Sequence, residues 1–260
     1  MFKYPRTQHI RGSRFQNGDH DLEAVPWEEL KGKHLVIEEK MDGSNCGISF
    51  SEEGELLLQS RGHYLRGGPR EKHFALLKQW ASARQEELFR ALRTRYVMYG
   101  EWLFAKHTYF YDNLPHYFME FDVLDTETGQ FLDSANRNML VPSFVEPVKV
   151  LAGGRFKTLK ELKDLIGRSC FVTDDRLSNL TDAALNAGVL PVEAVKHTDM
   201  DDRMEGLYIK WEEDGIVKGR YKFVRESFTN AIMDQDTHWH DRPIIQNRLS
   251  PGAYERMFTS

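Results

Sequence analysis

The run Leu35-Val36-Ile37-Glu38-Glu39-Lys40-Met41-Asp42-Gly43-Ser44-Asn45 places a lysine at the end of an apolar stretch and an Asp-Gly pair two residues beyond it. Leu35 to Ile37 has the apolar, β-branched composition of a strand, and Asp42-Gly43 is a turn signal. Two readings fit the pattern K-x-D-G. One is a hairpin turn with an exposed lysine beside it. The other is a lysine fixed at a strand end and used as a nucleophile. A match to K-x-D-G arises by chance in roughly one chain in twenty of this length, so the surroundings must decide.

Outward from this run, residues 34 to 40, 46 to 50 and 55 to 60 read as three short strands, divided at Asp42-Gly43 and Glu53-Gly54. Phe74, Leu77, Ala81, Leu88 and Leu92 recur at three-, four- and seven-residue steps and predict one long helix from Glu71 to Thr94. Tyr96 to Trp102 and Tyr117 to Leu124 return to strand composition. Residues 158 to 167 and 182 to 187 read as short helices with Thr158 and Thr181 as N-caps. Gly206 to Trp211 and Ile216 to Val224 read as strands joined by a turn at Glu213-Asp214-Gly215, with a last helix starting near Glu226. No repeat, low-complexity stretch or Pro/Gly/Ser-rich linker divides the chain. The expectation is one α+β domain built on antiparallel sheet with helices outside. Residues 1–33 form a loop-rich segment of that domain, 34–225 its core, and 226–260 a short helical or loop extension.

The 260 residues are 40% hydrophobic and 29% charged, the proportions of a soluble globular protein with a core. No apolar run is long enough for a membrane span and the first residues lack a signal-peptide core, so no membrane partner and a cytoplasmic setting are expected. Cys46 and Cys170 alone imply no disulfide framework. The net charge of −5 argues against broad coating of nucleic acid. Lys3, Arg6, Arg11 and Arg14 nevertheless precede any acid, which allows a local basic face. His238-Trp239-His240-Asp241 offers two histidines at i, i+2 but no third ligand, and reads as a polar loop. The absence of G-x-x-x-x-G-K-[ST] disfavours a P-loop kinase.

Downstream of Lys40 come, in order, Ser60-Arg61-Gly62, Tyr99-Gly100-Glu101-Trp102, Phe118-Met119-Glu120-Phe121-Asp122, Glu205-Gly206-Leu207-Tyr208-Ile209-Lys210 and Arg220-Tyr221-Lys222. In this ordered set, over roughly residues 34 to 225, the chain resembles the covalent nucleotidyltransferases, namely polynucleotide ligases and mRNA capping enzymes. It most resembles the ATP-dependent RNA ligase family, in the branch typified by phage RNA ligase 2. The resemblance implies an antiparallel-sheet nucleotidyltransferase (ATP-grasp-like adenylation) domain with flanking helices. It implies that Lys40 attacks the α-phosphorus of ATP, leaving a lysyl-AMP and pyrophosphate. Arg61 would hold ribose or the incoming end. Glu101 would bind the ribose hydroxyl or assist metal-dependent steps. Phe121 would stack on adenine, a contact worth about 1–3 kcal/mol. Glu205 and Asp122 would position Mg2+ or Mn2+, Lys210 and Lys222 would grip the α-phosphate, and Glu39 and Asn45 would contact adenine and the phosphate end.

Each residue also has a plain reading. Phe121 is a core aromatic, Glu101 a solvated strand end, Glu205 a turn acid after Asp201-Asp202, and Lys210 an outward residue on a strand. Arg220 stands where the phage branch usually has lysine, with Lys218 on the same strand face, so the register there is open between them. The chemistry sets one demand. A free lysine has a pKa near 10.4, so about one in a thousand is neutral at pH 7. A downward shift of three units corresponds to about 4 kcal/mol, and Lys210, Lys222 and a metal are the cations expected to supply it if the strands converge on Lys40.

The family's partners are RNA strand ends, with DNA or RNA/DNA hybrids as alternatives. Arg6, Arg11, Arg14, Lys106, His107, Tyr109, Phe110 and Tyr111 could dock them, or Phe104, Phe110 and Tyr111 are core. About 35 residues follow Arg225, too few for an OB barrel. A repair partner protein or homo-oligomer is then expected to help engage strands. A DNA ligase, a capping-type guanylyltransferase and a silent ligase-like binding module are the competing readings.

Overall fold

The computed structural model describes residues 1–15, 23–228 and 243–259. The strands are β1 (Gln8–His9), β2 (Leu35–Glu39), β3 (Ser44–Phe50), β4 (Leu56–Ser60), β5 (Tyr96–Trp102), β6 (Phe118–Asp125), β7 (Gln130–Leu132), β8 (Glu146–Pro147), β9 (Val150–Gly154), β10 (Gly206–Glu213) and β11 (Ile216–Val224). The helices are α1 (Ala75–Ala83), α2 (Gln85–Leu92), α3 (Ser134–Leu140), α4 (Leu159–Lys163), α5 (Arg176–Asn186), α6 (Pro191–Lys196) and α7 (Ala253–Phe258).

Among the described residues the strands join one sheet in the order β4-β3-β5-β6-β7-β11-β10-β2-β9. Its pairings are antiparallel except where β1 joins β11 and β8 joins β6. The sheet has two halves. β4-β3-β5-β6 packs against α1 and α2 through Ile48, Phe50, Leu77, Trp80, Leu88, Leu92 and Phe118. β11-β10-β2-β9 packs around Ile37, Leu162, Leu207, Ile209 and Phe223. β7 joins them, and the segment from β8 to β9 joins them again, with Val148 N–H donating to the Glu120 carbonyl on β6 (2.7 Å) and Glu39 N–H on β2 donating to the Lys149 carbonyl (3.4 Å).

This layout corrects the hairpin reading of Asp42-Gly43. β2 pairs with β10 and β9, whereas β3 pairs with β4 and β5. Residues 40–43 therefore cross from one half of the sheet to the other, and Lys40 stands at the crossing. Close packing enforces the glycine: a Cβ at Gly43 would lie 2.7 Å from both the Leu103 side chain and the Trp102 carbonyl.

The single long helix from Glu71 to Thr94 is also corrected. A 3-10 turn covers Pro69–Phe74, and Arg84 (φ −108°, ψ 15°) separates α1 from α2. Its guanidinium leaves the helical register to bond the Thr259 carbonyl and Glu87 and to lie over the Phe144 ring. Thr158 caps α4 as expected, accepting from Glu161 N–H (3.3 Å). Thr181 caps nothing: α5 begins five residues earlier at Arg176, and the Thr181 hydroxyl donates back to the Leu177 carbonyl. Glu226 lies in a turn, and the segment after Phe228, with His238 to Asp241, lies outside the described residues.

Gly206 opens β10 opposite Val224 on β11. A side chain there would fall onto the Phe223 carbonyl, well inside contact distance. Gly206→Ala is expected to destabilise the fold by about 1–3 kcal/mol, as overpacking does. Urea unfolding checks this: the midpoint should drop with the slope unchanged, and an unaltered midpoint would show that the strands part freely.

Candidate active site

Lys40 follows β2 directly, and its backbone N–H donates to the Gly206 carbonyl (3.0 Å). This ladder bond brings Glu205, the residue before β10, beside the lysine. Lys40 Nζ donates to Glu205 Oε1 at 2.7 Å, with the carboxylate side chain fully buried and the lysine side chain 21% exposed. Burial works to lower the Lys40 ammonium, but the carboxylates of Glu205, Asp42 and Glu101 outweigh it and hold Lys40 above its ordinary value. Burial pushes Glu205 up to about 7, against the opposing pull of Lys40 and Lys222.

Asp42 fixes the crossing. Its Oδ2 accepts from the backbone N–H of Thr108 (2.8 Å) and Tyr109 (2.7 Å), and its own N–H donates to the Tyr111 hydroxyl (2.8 Å). Glu101, at the end of β5, accepts from Gly43 N–H through Oε1 (3.1 Å), and burial pushes its carboxyl up to about 8. Asn45 stands opposite Glu101 in register, with its buried Oδ1 lacking a hydrogen-bond partner. Lys222 on β11 is buried opposite Tyr208, and its charge acts on Glu205. Glu39 points away from Lys40 on the alternating strand. Its Oε1 accepts from the Ser169 hydroxyl (2.5 Å) and its Oε2 from Cys170 N–H (3.2 Å), and burial pushes it up to about 7.

Lys210 lies elsewhere, which corrects the expected convergence of cations. It pairs in register with Val36, four residues back from Lys40, or about 13 Å along the strand at the usual rise. Its ammonium donates to Glu38 Oε1 (2.8 Å) and the Phe121 carbonyl (2.8 Å) and lies 3.6 Å from Asp122 Oδ1. Asp122 Oδ2 accepts from the hydroxyls of Tyr4 and Tyr208, each at 2.6 Å. The Phe121 ring meets Tyr4 edge-on (5.4 Å) and lies 5.8 Å from Tyr208. Lys40, Glu205, Glu101, Asp42 and Lys222 thus form one cluster, and Lys210, Phe121 and Asp122 a second. Arg61 is exposed on the loop after β4.

Neither option for the first basic position of the last motif reaches Lys40. Arg220 lies over the Phe131 ring (4.1 Å), and Lys218 pairs with Asp214 (3.2 Å). Tyr109, Phe110 and Tyr111 are core, at most 1% exposed, and Lys106 is tied to the carbonyls of His107 and His197. Arg6, Arg11 and Arg14 remain exposed. Sequence reasoning missed Tyr4, Glu38, Arg137 and Tyr208. Only Glu38 carried a signal, as part of the Glu-Glu-Lys run.

A family model described as RNA ligase matches residues 33–224. The chain belongs to the RNA ligase family. No curated protein matches the chain in sequence. Among solved structures, a glutamate-to-alanine variant of Naegleria gruberi RNA ligase with ATP and Mn is 19% identical (TM-score 0.52), covering 88% of this chain and 57% of its own. An arginine-to-alanine variant of that ligase with ATP and Mn is 19% identical (TM-score 0.51), covering 87% and 57%. Another glutamate-to-alanine variant, with AMP and Mn, is 18% identical (TM-score 0.50), covering 86% and 56%. These likenesses show that the fold is shared. The chain spans a little over half the length of those ligases. The K-x-D-G lysine of this family member is therefore held at a strand crossing and paired with a buried acid.

The pairing makes a testable statement about Lys40. Glu205→Gln removes the nearest carboxylate, so the ammonium should titrate lower than in the wild type. Competitive acetylation of Lys40 across pH, followed by mass spectrometry, measures the midpoint. An unmoved midpoint would mean that Glu205 does not govern the lysine.

Proposed function

We propose that the chain acts as an ATP-dependent RNA ligase, with Lys40 as the residue that carries AMP. The observation that supports it most is the cluster at the crossing: a partly exposed lysine, 2.7 Å from a buried carboxylate, with Glu101 and Lys222 around it.

In the resting site Lys40 is an ammonium, and its proton must leave before Nζ can act as nucleophile. Glu205, with a carboxyl near 7, lies on that proton's path. In the first step the Nζ–phosphorus bond forms and the bond from the α-phosphorus to the pyrophosphate oxygen breaks. The proton passes from Nζ to Glu205. Lys222 provides fixed positive charge for the phosphate as charge builds there. In the second step a 5′-phosphate oxygen attacks the same phosphorus, the phosphorus–nitrogen bond breaks, and Lys40 recovers its proton. In the third, a 3′-hydroxyl attacks the activated 5′-phosphorus and AMP leaves.

Among the described residues no group of three or more His, Cys, Asp or Glu side chains is arranged to hold a metal. The oxygen donors Glu205 and Glu101 suit a hard divalent ion, Mg2+ or Mn2+, whose remaining ligands are phosphate and water. Such an ion would neutralise phosphate charge when bound. Asp122, engaged by two tyrosines, is not proposed as its ligand. The N. gruberi ligase structures with ATP or AMP also carry Mn, which supports nucleotide and divalent metal use here. The family match supports RNA ends as the strands, and RNA repair is our proposal for the setting.

Intact mass after incubation with ATP and Mg2+ or Mn2+ should show one covalent AMP on the wild type and none on Lys40→Ala or Lys40→Arg. A full adduct on Lys40→Ala would remove the site assignment. Sealing of nicked RNA in preference to nicked DNA, and use of ATP over GTP, separates this reading from a DNA ligase or a guanylyltransferase. Stoichiometric nucleotide binding without an adduct would instead indicate a silent binding module.

A further inference from the structure

Phe121 occupies an irregularity in the sheet. β5 and β6 pair Tyr99 with Asp122 and Gly100 with Glu120, so Phe121 is an extra residue on β6 with no partner on β5. A bulge of this kind breaks the ladder locally and re-aims a side chain, and a buried carbonyl released from the ladder needs a donor. The Phe121 carbonyl has two, and both are cations: Lys210 from β10 and Arg137 from α3. The same two cations share Glu38 Oε1, each at 2.8 Å. Arg137 Nε also lies 3.7 Å from Glu120 Oε2. Glu38, Glu120, Arg137 and Lys210 are each no more than 1% exposed.

The two cations are not equivalent. An ammonium is a point charge on a flexible stem. A guanidinium is a planar fork that fixes two acceptors relative to one another. Arg137 spends that fork on one acceptor from each half of the sheet, the Phe121 carbonyl on β6 and the Glu38 carboxylate on β2. Arg137 also lines a cavity of about 320 Å³ with Met119, Asn138, Val148, Lys149 and Phe171. The Phe121 ring is set from the other side by the edge of Tyr4 and by Tyr208, whose hydroxyls both reach the next residue, Asp122.

We infer that Arg137 is a positioning residue for the nucleotide base: through the Phe121 carbonyl and Glu38 it holds the bulge that presents the Phe121 ring. This rests on the ATP-dependent ligase reading and on the base-stacking role that the family resemblance implies for Phe121. Arg137 touches no reacting atom, so its loss should affect recognition of the base and leave recognition of the phosphates alone.

The test is ATP and pyrophosphate binding by calorimetry, with KM and kcat for lysyl-AMP formation, on wild type, Arg137→Lys and Phe121→Ala. Arg137→Lys keeps the charge and loses the fork. It should weaken ATP binding and raise KM for ATP about tenfold, the lower end of what one stacked base contributes. Pyrophosphate affinity and kcat should stay within about twofold, and Phe121→Ala should show the same pattern. If Arg137→Lys loses its fold, Arg137→Met combined with Glu120→Gln removes the cation and a neighbouring carboxyl together and takes its place. Unchanged ATP affinity, or equal losses for ATP and pyrophosphate, would overturn the inference. A wild type that binds ATP but forms no adduct would sink the ligase reading, while the binding comparison would still decide the role of Arg137.

Discussion

Charges shut away from water decide how the two halves of this sheet meet. Glu38 belongs to β2, Glu120 and Asp122 to β6, Lys210 to β10 and Arg137 to α3, and all are at most 1% exposed. A buried carboxylate without a cation is several kcal/mol worse than a paired one. Neither half can shift without stranding a charge. The distance between β2 and β6 is set by Arg137 and Lys210 reaching from Glu38 to the Phe121 carbonyl. Lys40, two residues beyond Glu38, is fixed separately by its own ladder bond to Gly206, and the bond from Gly43 to Glu101 ties the crossing to β5.

The same cluster explains why Lys40 is not primed by neighbouring lysines. Strand alternation puts Lys210 on the face of Lys40 but at the level of Val36, where its charge is already engaged by Glu38. Carboxylates surround Lys40 itself and hold it as an ammonium. The resting site therefore holds Lys40 as an ammonium ion-paired to Glu205, and any reaction through Nζ requires that this pairing be given up first.

Much of this was legible in the chain because strand patterning is local. β5 and β11 run over the residues their composition marks, β2, β3, β4, β6 and β10 differ from expectation by a residue or two at their ends, and β9, whose Val150-Leu151-Ala152-Gly153-Gly154 run has no strand pattern, was not expected. β1, β7 and β8 are two or three residues long and carry no period to read. The break at Arg84 has a tertiary cause, a guanidinium drawn to Thr259 and Phe144 from distant sequence. Whether Asp42-Gly43 turns a hairpin or crosses between sheet halves depends on which strands pair, and no spacing encodes that. At the site, Lys40 and Glu205 were visible because their motifs hold them together. Arg137 was not, because an arginine in a short helix looks like a surface residue until the acids it neutralises are seen around it.

The join between the halves has a consequence for how the molecule comes apart. β7 is three residues long and makes two register pairs with β6 and two with β11. The apolar clusters on either side are largely separate. Along the sheet's ladder β7 is the narrowest join, backed by a small apolar cluster of Tyr4, Val97, Tyr99 and Phe131. The crossing that bears Lys40 is one of the covalent threads spanning that seam, so any parting of the halves at β7 is felt at Lys40.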